Sequence, residues 1–155
     1  KEVNIVFNSE KEKFNMSIIE INSIETSGKG YLSFFEVNKD IPFEIKRIYY
    51  IYGVPVNIKR GMHAHKKLQQ ILWCPYGEIK IILDTGKAKN YYLLDSPEKG
   101  LFIENGIWRE MIWEKEGSVL CVAASDYYKE DDYIRDYNKF LRYVEEGYWE
   151  DEHKF

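Results

Sequence analysis

The sequence predicts an all-β sandwich or barrel carrying one C-terminal α-helix, and three observations carry that expectation. Short runs rich in Ile, Val, Tyr and Phe recur at roughly 8–12-residue spacing, the rhythm of stacked antiparallel strands. Gly, Pro, Asp, Asn and Ser punctuate the runs, and Pro42, Pro55, Pro75 and Pro97 all fall near run boundaries, where a missing backbone N–H is tolerated. From Lys129 onward the apolar residues change to a helical period.

Taken in order, the strand-like runs are MSIIEIN, GYLSFFEV, IKRIYYIYGV, QQILWCPYG, EIKIILD, NYYLLD, GLFIENG, REMIWEKE and SVLCVAAS. Side chains alternate along a strand, so Arg47 and Tyr49 share one face and Tyr50 takes the other. The tail KEDDYIRDYNKFLRYVEEG places Tyr133, Ile134, Tyr137, Phe140, Leu141 and Val144 at helical spacing. It is read as one amphipathic helix over about 129–146, with acids at its positive end and Gly147 as its C-cap. The acidic run KEDDY is read as the start of that helix rather than as a cation site.

The 155 residues are read as one domain, residues 1–155, long enough to bury a core without disulfides. Hydrophobic residues make up 45%, which argues against disorder, and 13 Tyr fit half-buried positions where a ring packs and its hydroxyl bonds. The net charge of −4 without a basic block excludes a nucleic-acid polymer as partner, since such binding draws on phosphate neutralisation. No apolar stretch approaches the ~20 residues a membrane helix needs, and the charged start KEVNIVFNSEKEKF lacks a secretory pattern. Cys74 and Cys121 lie in apolar runs, not at metal-knuckle spacing, and read as buried free thiols of a cytoplasmic protein.

The chemistry concentrates in RGMHAHKKLQQILWCPYGE. On a strand His63 and His65 share a face and Ala64 points away. Two imidazoles beside Arg60 bring polar atoms that need partners, which makes an idle burial expensive. Lys66 and Lys67 read as a solvated turn. A histidine pair suits proton transfer near neutral pH, Arg60, Arg109 and Arg47 supply fixed charge, and Tyr49 or Tyr50, one of which faces the side of the histidines, supplies a hydroxyl for a reaction that makes an oxyanion.

The spacing of His63, His65, Gln70 and Gly77 resembles the cupins, whose metal-binding members place a carboxylate after the His-x-His pair and a further His later. Here the carboxylate position holds Gln70, a weak ligand, and ENGIWRE places Arg109 where the last ligand is expected. Arginine has no lone pair to give and stays protonated. Two imidazoles are too few for a tight site, and His153 in the charged tail is a poor substitute. The expectation is a metal-free, cofactor-free cupin-type jelly roll. A metal-dependent dioxygenase would contradict it.

Within the cupin superfamily the chain is similar to the WxcM-like sugar-nucleotide 3,4-ketoisomerases. The resemblance runs from about Gly30 to Leu141 on IPFEIKRIYYIYGVP, RGMHAHKKLQQIL, IKIILDTG, LLDSPEKGLFIENGIWREM and VLCVAASDYYKEDDYIRDYNKFL. It implies a homodimeric enzyme that converts dTDP-4-keto-6-deoxy-D-glucose to its 3-keto isomer. Such a product feeds the amination that makes deoxyamino sugars of bacterial surface polysaccharides and some antibiotics. It also implies that His63 is the main acid or base, His65 its partner and Tyr49 a shuttle for the hydroxyl proton. Arg60 then holds the enediolate or the diphosphate, and Arg47 joins the same face.

Other positions are read beside their structural alternatives. Trp108 either stacks on sugar or base or fills a barrel mouth. Gln70 is expected to bond a histidine inside the barrel, while Trp73, Trp113 and Trp149 are expected to pack. An arginine at 109 cannot readily protonate from the opposite face at neutral pH, so the gluco product is favoured over galacto. Lys29 is a basic substrate-binding candidate whose effect stays open. The competing readings are a non-catalytic sugar-binding cupin and a 3,5-epimerase acting on the same nucleotide sugar.

Overall fold

A computed structural model of the chain describes residues 16–150. The charged N-terminal stretch and His153 lie outside the described residues. Two five-stranded antiparallel sheets face each other as a cupin-type jelly roll. The first sheet runs in the order β1 (Met16–Glu20), β9 (Lys99–Ile103), β6 (Gln70–Tyr76), β11 (Val119–Ala124) and β4 (Arg47–Ile51). The second runs β12 (Tyr133–Ile134), β5 (Lys59–His65), β10 (Trp108–Trp113), β7 (Ile79–Asp84) and β8 (Lys89–Leu94). A separate hairpin, β2 (Asn22–Thr26) with β3 (Gly30–Phe34), is exposed along nearly all of its length.

Alternation along each strand sorts the side chains into layers. Leu72 and Cys74 of β6, Leu101 and Ile103 of β9, and Leu120 and Val122 of β11 meet Ile79, Ile81, Leu83, Met111 and Trp113 of the other sheet to form the main core. The outer face of the first sheet buries Ile71 and Phe102 under Ile41 and Phe43 from the 35–45 connection. The outer face of the second buries Ala64, Trp108 and Ile134 under Phe140 of the helix α1 (Tyr137–Glu145) and Trp149. Trp113 and Trp149 are buried and Trp73 packs edge-on against Phe35, so these three rings do pack.

The expected helix over 129–146 is shorter and begins later. Glu130–Asp132 form a single 3-10 turn, Tyr133 and Ile134 form β12, and α1 starts at Tyr137 behind an Asp136 cap that accepts the Lys139 N–H at 2.8 Å. Strand pairing wins over helix period here because β12 lies on the edge of β5, with Tyr133 opposite His65 and Ile134 opposite Ala64. Pairing at that edge satisfies backbone groups that a helix would leave open on β5. The apolar residues from 137 onward keep the helical face as expected. Among the described residues, no helix is long and apolar enough to cross a membrane. Cys74 is buried and Cys121 is half-buried, and both are free thiols.

Candidate active site

The apolar core gives way to polar side chains at one end of the sandwich. Along β4 the inward residues are Ile51, Tyr49 and Arg47, along β10 they are Trp113, Met111 and Arg109, and along β6 Gln70 follows Leu72 and Cys74. In each strand the polar residue sits at the same end, and β5 delivers His63 and His65 there from its C-terminal end. A β-bulge aims that pair. Gly61 and Met62 both have positive φ, and the pairing of β10 with β5 slips so that Arg109 faces His63 while Glu110 faces Gly61. A Cβ at Gly61 would stand 3.0 Å from the Arg109 carbonyl oxygen, with φ at +81°. Gly77 of the same motif is equally constrained, because a Cβ there would fall inside Ser118.

His63 and His65 point inward with ring centroids 4.8 Å apart, and Ala64 faces α1. Burial drives the His63 pKa down to about 3, with the Arg109 charge and His65 adding to the effect. Burial likewise lowers His65 to about 4 although its bond to Asp132 pulls the other way. Both rings are therefore neutral at pH 7. His65 Nδ1 lies 3.0 Å from Asp132 Oδ2, whereas His65 Nε2 and both His63 nitrogens have no hydrogen-bond partner among the described residues.

Arg109 is fully buried and donates from Nη1 to Gln70 Oε1 at 2.6 Å and from Nη2 to the Ile107 carbonyl at 3.0 Å. Burial lowers its pKa to about 10, which leaves it charged at neutral pH. Gln70 Nε2 in turn donates to Tyr49 Oη at 3.0 Å. Gln70 thus bonds Tyr49 and Arg109, not a histidine as expected. The reason is reach, since Tyr49 of β4, beyond β11 in the same sheet, and Arg109 of β10 in the facing sheet both extend to its amide. Burial raises the Tyr49 pKa, so its hydroxyl keeps its proton. That hydroxyl already accepts from Gln70, which leaves its hydrogen free to point elsewhere.

A cavity of about 290 Å³ opens onto this group, lined by Arg47, Tyr49, Arg60, His63, Tyr133 and Arg135 among others. The Arg47 Nε and Nη2 are buried without a hydrogen-bond partner among the described residues. A neighbouring cleft of about 440 Å³ shares Arg47 and Tyr133 and adds Lys46, Lys66, Lys67 and Lys129. Of the expected site residues, the structure gathers His63, His65, Tyr49, Arg47, Gln70 and Arg109 together, with Arg60 on the cavity rim. Trp108 does not join them. It sits on the opposite face of β10, buried against Tyr137 and Phe140 beneath α1, neither at the barrel mouth nor on the cavity. Lys29 stands exposed in the turn of the β2–β3 hairpin and lines neither cavity.

Sequence reasoning missed Asp132, Tyr133 and Arg135. The Tyr133 ring covers both histidines, at 5.0 Å from His63 and 4.5 Å from His65, and the Arg135 guanidinium lies over it at 4.2 Å. Arg135 is held by Glu130, which also bonds Tyr128. The legible signal was the alternation of Tyr133, Ile134 and Arg135, which is a strand pattern inside a stretch read as helix. Among the described residues, no three His, Cys, Asp or Glu side chains cluster in a way that could hold a metal ion.

Residues 14–145 match the family described as FdtA: WxcM-like, C-terminal. The TDP-4-oxo-6-deoxy-alpha-D-glucose-3,4-oxoisomerase of Aneurinibacillus thermoaerophilus is 47% identical over 116 residues, which cover 75% of this chain and 84% of that one. The solved structure of QdtA, a sugar 3,4-ketoisomerase from Thermoanaerobacterium thermosaccharolyticum in complex with TDP, matches with a TM-score of 0.82 at 42% identity, over 86% of this chain and 96% of that chain. That of WlaRB, a TDP-quinovose 3,4-ketoisomerase from Campylobacter jejuni, matches with a TM-score of 0.78 at 44% identity, over 83% of this chain and 98% of that chain.

Proposed function

The chain belongs to the FdtA, WxcM-like C-terminal family, and from that premise we propose that it is a sugar-nucleotide 3,4-ketoisomerase acting on dTDP-4-keto-6-deoxy-D-glucose. The enzyme is an isomerase of a TDP-linked sugar. The observation that carries the mechanism is the pair of neutral, inward-pointing imidazoles beside a protonated phenol and a buried guanidinium.

The C4 ketone acidifies the hydrogen on C3. A neutral imidazole takes that proton, with His63 in the cavity lining as the group that meets the sugar and His65 as its partner. The electron pair moves onto O4 and forms an enediolate. Arg109 and Arg47 place fixed positive charge beside it, and such preorganised charge is worth about 10²–10³ in rate per donor. The O3 proton passes to O4 through Tyr49 and the histidines, and the imidazolium returns a proton to C4. C3 ends as the ketone and C4 as the alcohol, so one carbon is oxidised as its neighbour is reduced and no external electron is needed. Arg60 and Arg135 on the rim are placed for the diphosphate. A metal has no role in this scheme, because the position of the last ligand holds Arg109, whose charge repels a cation and whose guanidinium has no lone pair to give.

The gluco product follows from Arg109. Its two bonded nitrogens are already committed to Gln70 and Ile107, and it stays charged at neutral pH, so it offers no acid for the opposite face of C4. The residues 1–155 work as one domain within a homodimer. The support is the β2–β3 hairpin, which pairs with no other strand among the described residues, and the edge strand β4, which exposes Ile48 and Tyr50, with Tyr52 exposed just beyond it.

The test is to mix dialysed protein with dTDP-4-keto-6-deoxyglucose in D₂O and follow the sugar by ¹H NMR. A 3-keto product carrying deuterium at C4, and a large H4–H5 coupling in the product of the same reaction run in H₂O, is the expected result. Binding without exchange indicates a sugar-binding module, and exchange at C5 indicates a 3,5-epimerase.

A further inference from the structure

Resting on the ketoisomerase reading, we propose that Asp132 is a positioning residue that locks His65 in its Nδ1–H tautomer, leaving Nε2 as the one atom of the deep histidine able to take up or return a proton. Asp132 Oδ2 is 3.0 Å from His65 Nδ1, and the same carboxylate accepts the Lys67 N–H at 2.8 Å and the Leu68 N–H at 3.4 Å. Its backbone carbonyl accepts the Lys66 N–H at 2.9 Å. A carboxylate that already receives two amides is anchored as an ionised acceptor, because amides favour its charged form. Burial works to raise its pKa, but the His65 bond and the amides outweigh that and hold it below the ordinary range.

An ionised carboxylate only accepts, so the atom facing it must be N–H. A neutral imidazole carries a single N–H, and therefore Nε2 holds the lone pair. That nitrogen is buried, without a partner among the described residues, within the cluster of His63, Tyr133 and Arg109.

His65 is also held rigidly. Its carbonyl accepts the Gly106 N–H at 2.8 Å, and the next carbonyl, of Lys66, accepts from Asn105 Nδ2 and Trp149 Nε1. The ring is thus fixed in place by backbone contacts and fixed in tautomer by Asp132. Without the carboxylate, nothing else among these contacts selects which nitrogen is bare. The charged and titratable groups around His65 are His63 on its own strand, Arg109 from β10, Arg47 from β4, and Asp132, Tyr133 and Arg135 from the facing segment. Three of these are cations, which oppose an imidazolium. Asp132 is the one anion bonded to the ring, so it also favours the transient protonated state.

The test joins a spectrum to a rate. Imidazole ¹H–¹⁵N correlations of the labelled wild-type protein report the tautomer directly, and His65 is expected as Nδ1–H. Asp132→Asn turns an NH₂ toward Nδ1 and is expected to reverse the tautomer to Nε2–H. Its kcat should fall by about 10²-fold or more, as losing a positioned acid–base group does, with KM little changed. Asp132→Glu keeps the acceptor and is expected to recover the wild-type tautomer and part of the rate. A merely structural carboxylate would move stability and leave the tautomer alone. Wild-type His65 found as Nε2–H overturns the proposal even if Asp132→Asn fails to fold. So does a reversed tautomer in Asp132→Asn with unchanged turnover. Wild-type protein with the expected tautomer but no isomerase activity overturns the ketoisomerase reading and leaves the dyad standing.

Discussion

Arg109 is the residue whose burial decides most about the proposed chemistry. A guanidinium without water is costly, and it persists here because Gln70 and the Ile107 carbonyl receive two of its N–H groups. Replacing it with Met removes that cost along with the charge. It also leaves the buried Gln70 Oε1 and Ile107 carbonyl without their donor, at about 1–3 kcal/mol each, so Arg109→Met is expected to be no more stable than wild type while losing about 10²–10³ in kcat. Paired urea titrations and rate measurements check both halves. Arg109→His is the sharper variant, since an imidazole that has taken up a proton can hand it to C4 from the other side. Some galacto product, seen as a small H4–H5 coupling, is the expected outcome. The residues proposed to carry this chemistry, and gathered at one end of the barrel, were legible because their types are rare at core positions: two histidines of one parity, a glutamine and an arginine where ligands belong. Asp132 was not legible. Its acid is one of several in KEDDY, and nothing local in the sequence says that its carboxylate turns back across the chain to His65.

At the scale of the element, the β5 bulge sets the aim of the histidines. Gly61 adopts φ +81° and lies close under the Arg109 carbonyl. Gly61→Ala is expected to cost about 1–3 kcal/mol, the range for a strained left-handed residue, and to lower kcat by shifting the imidazoles. Chemical denaturation and steady-state kinetics read the two effects. The bulge could not be found from alternation, because RGMHAH already alternates as a simple strand would and the extra residue shows only when β10 is laid beside it. The same holds for β12. The helical period from Lys129 is real from Tyr137 onward, but residues 133–134 belong to the open edge of β5, and that edge is a property of the sheet rather than of the segment. The strands of the main core were readable because their apolar runs are long and their turn residues frequent.

At the scale of the molecule, the jelly roll places an apolar core at one end and a charged, hydrogen-bonded cluster at the other. That division makes stability depend on pH. An unfolded histidine takes a proton near its ordinary pKa of 6.5, while the folded pair resists until about 4 and about 3. The unfolded state thus binds more protons across that window, so the pair's contribution is complete above pH 6.5 and is lost progressively as pH falls toward the folded values. The expected result is a steeper loss of urea midpoint between pH 7 and pH 4.5 in wild type than in a His63→Gln/His65→Gln variant. Equal slopes would contradict buried neutral imidazoles. The measurement that bears most directly on the whole account is the rate of deuterium incorporation into dTDP-4-keto-6-deoxyglucose by chelator-treated protein, set beside His63→Asn and His65→Asn. Undiminished exchange by the treated wild type, with a loss of about 10²–10⁴-fold in each variant, is what histidine acid–base chemistry without a metal predicts. Exchange that vanishes on chelation and returns with a divalent ion, or that survives both substitutions, would contradict it.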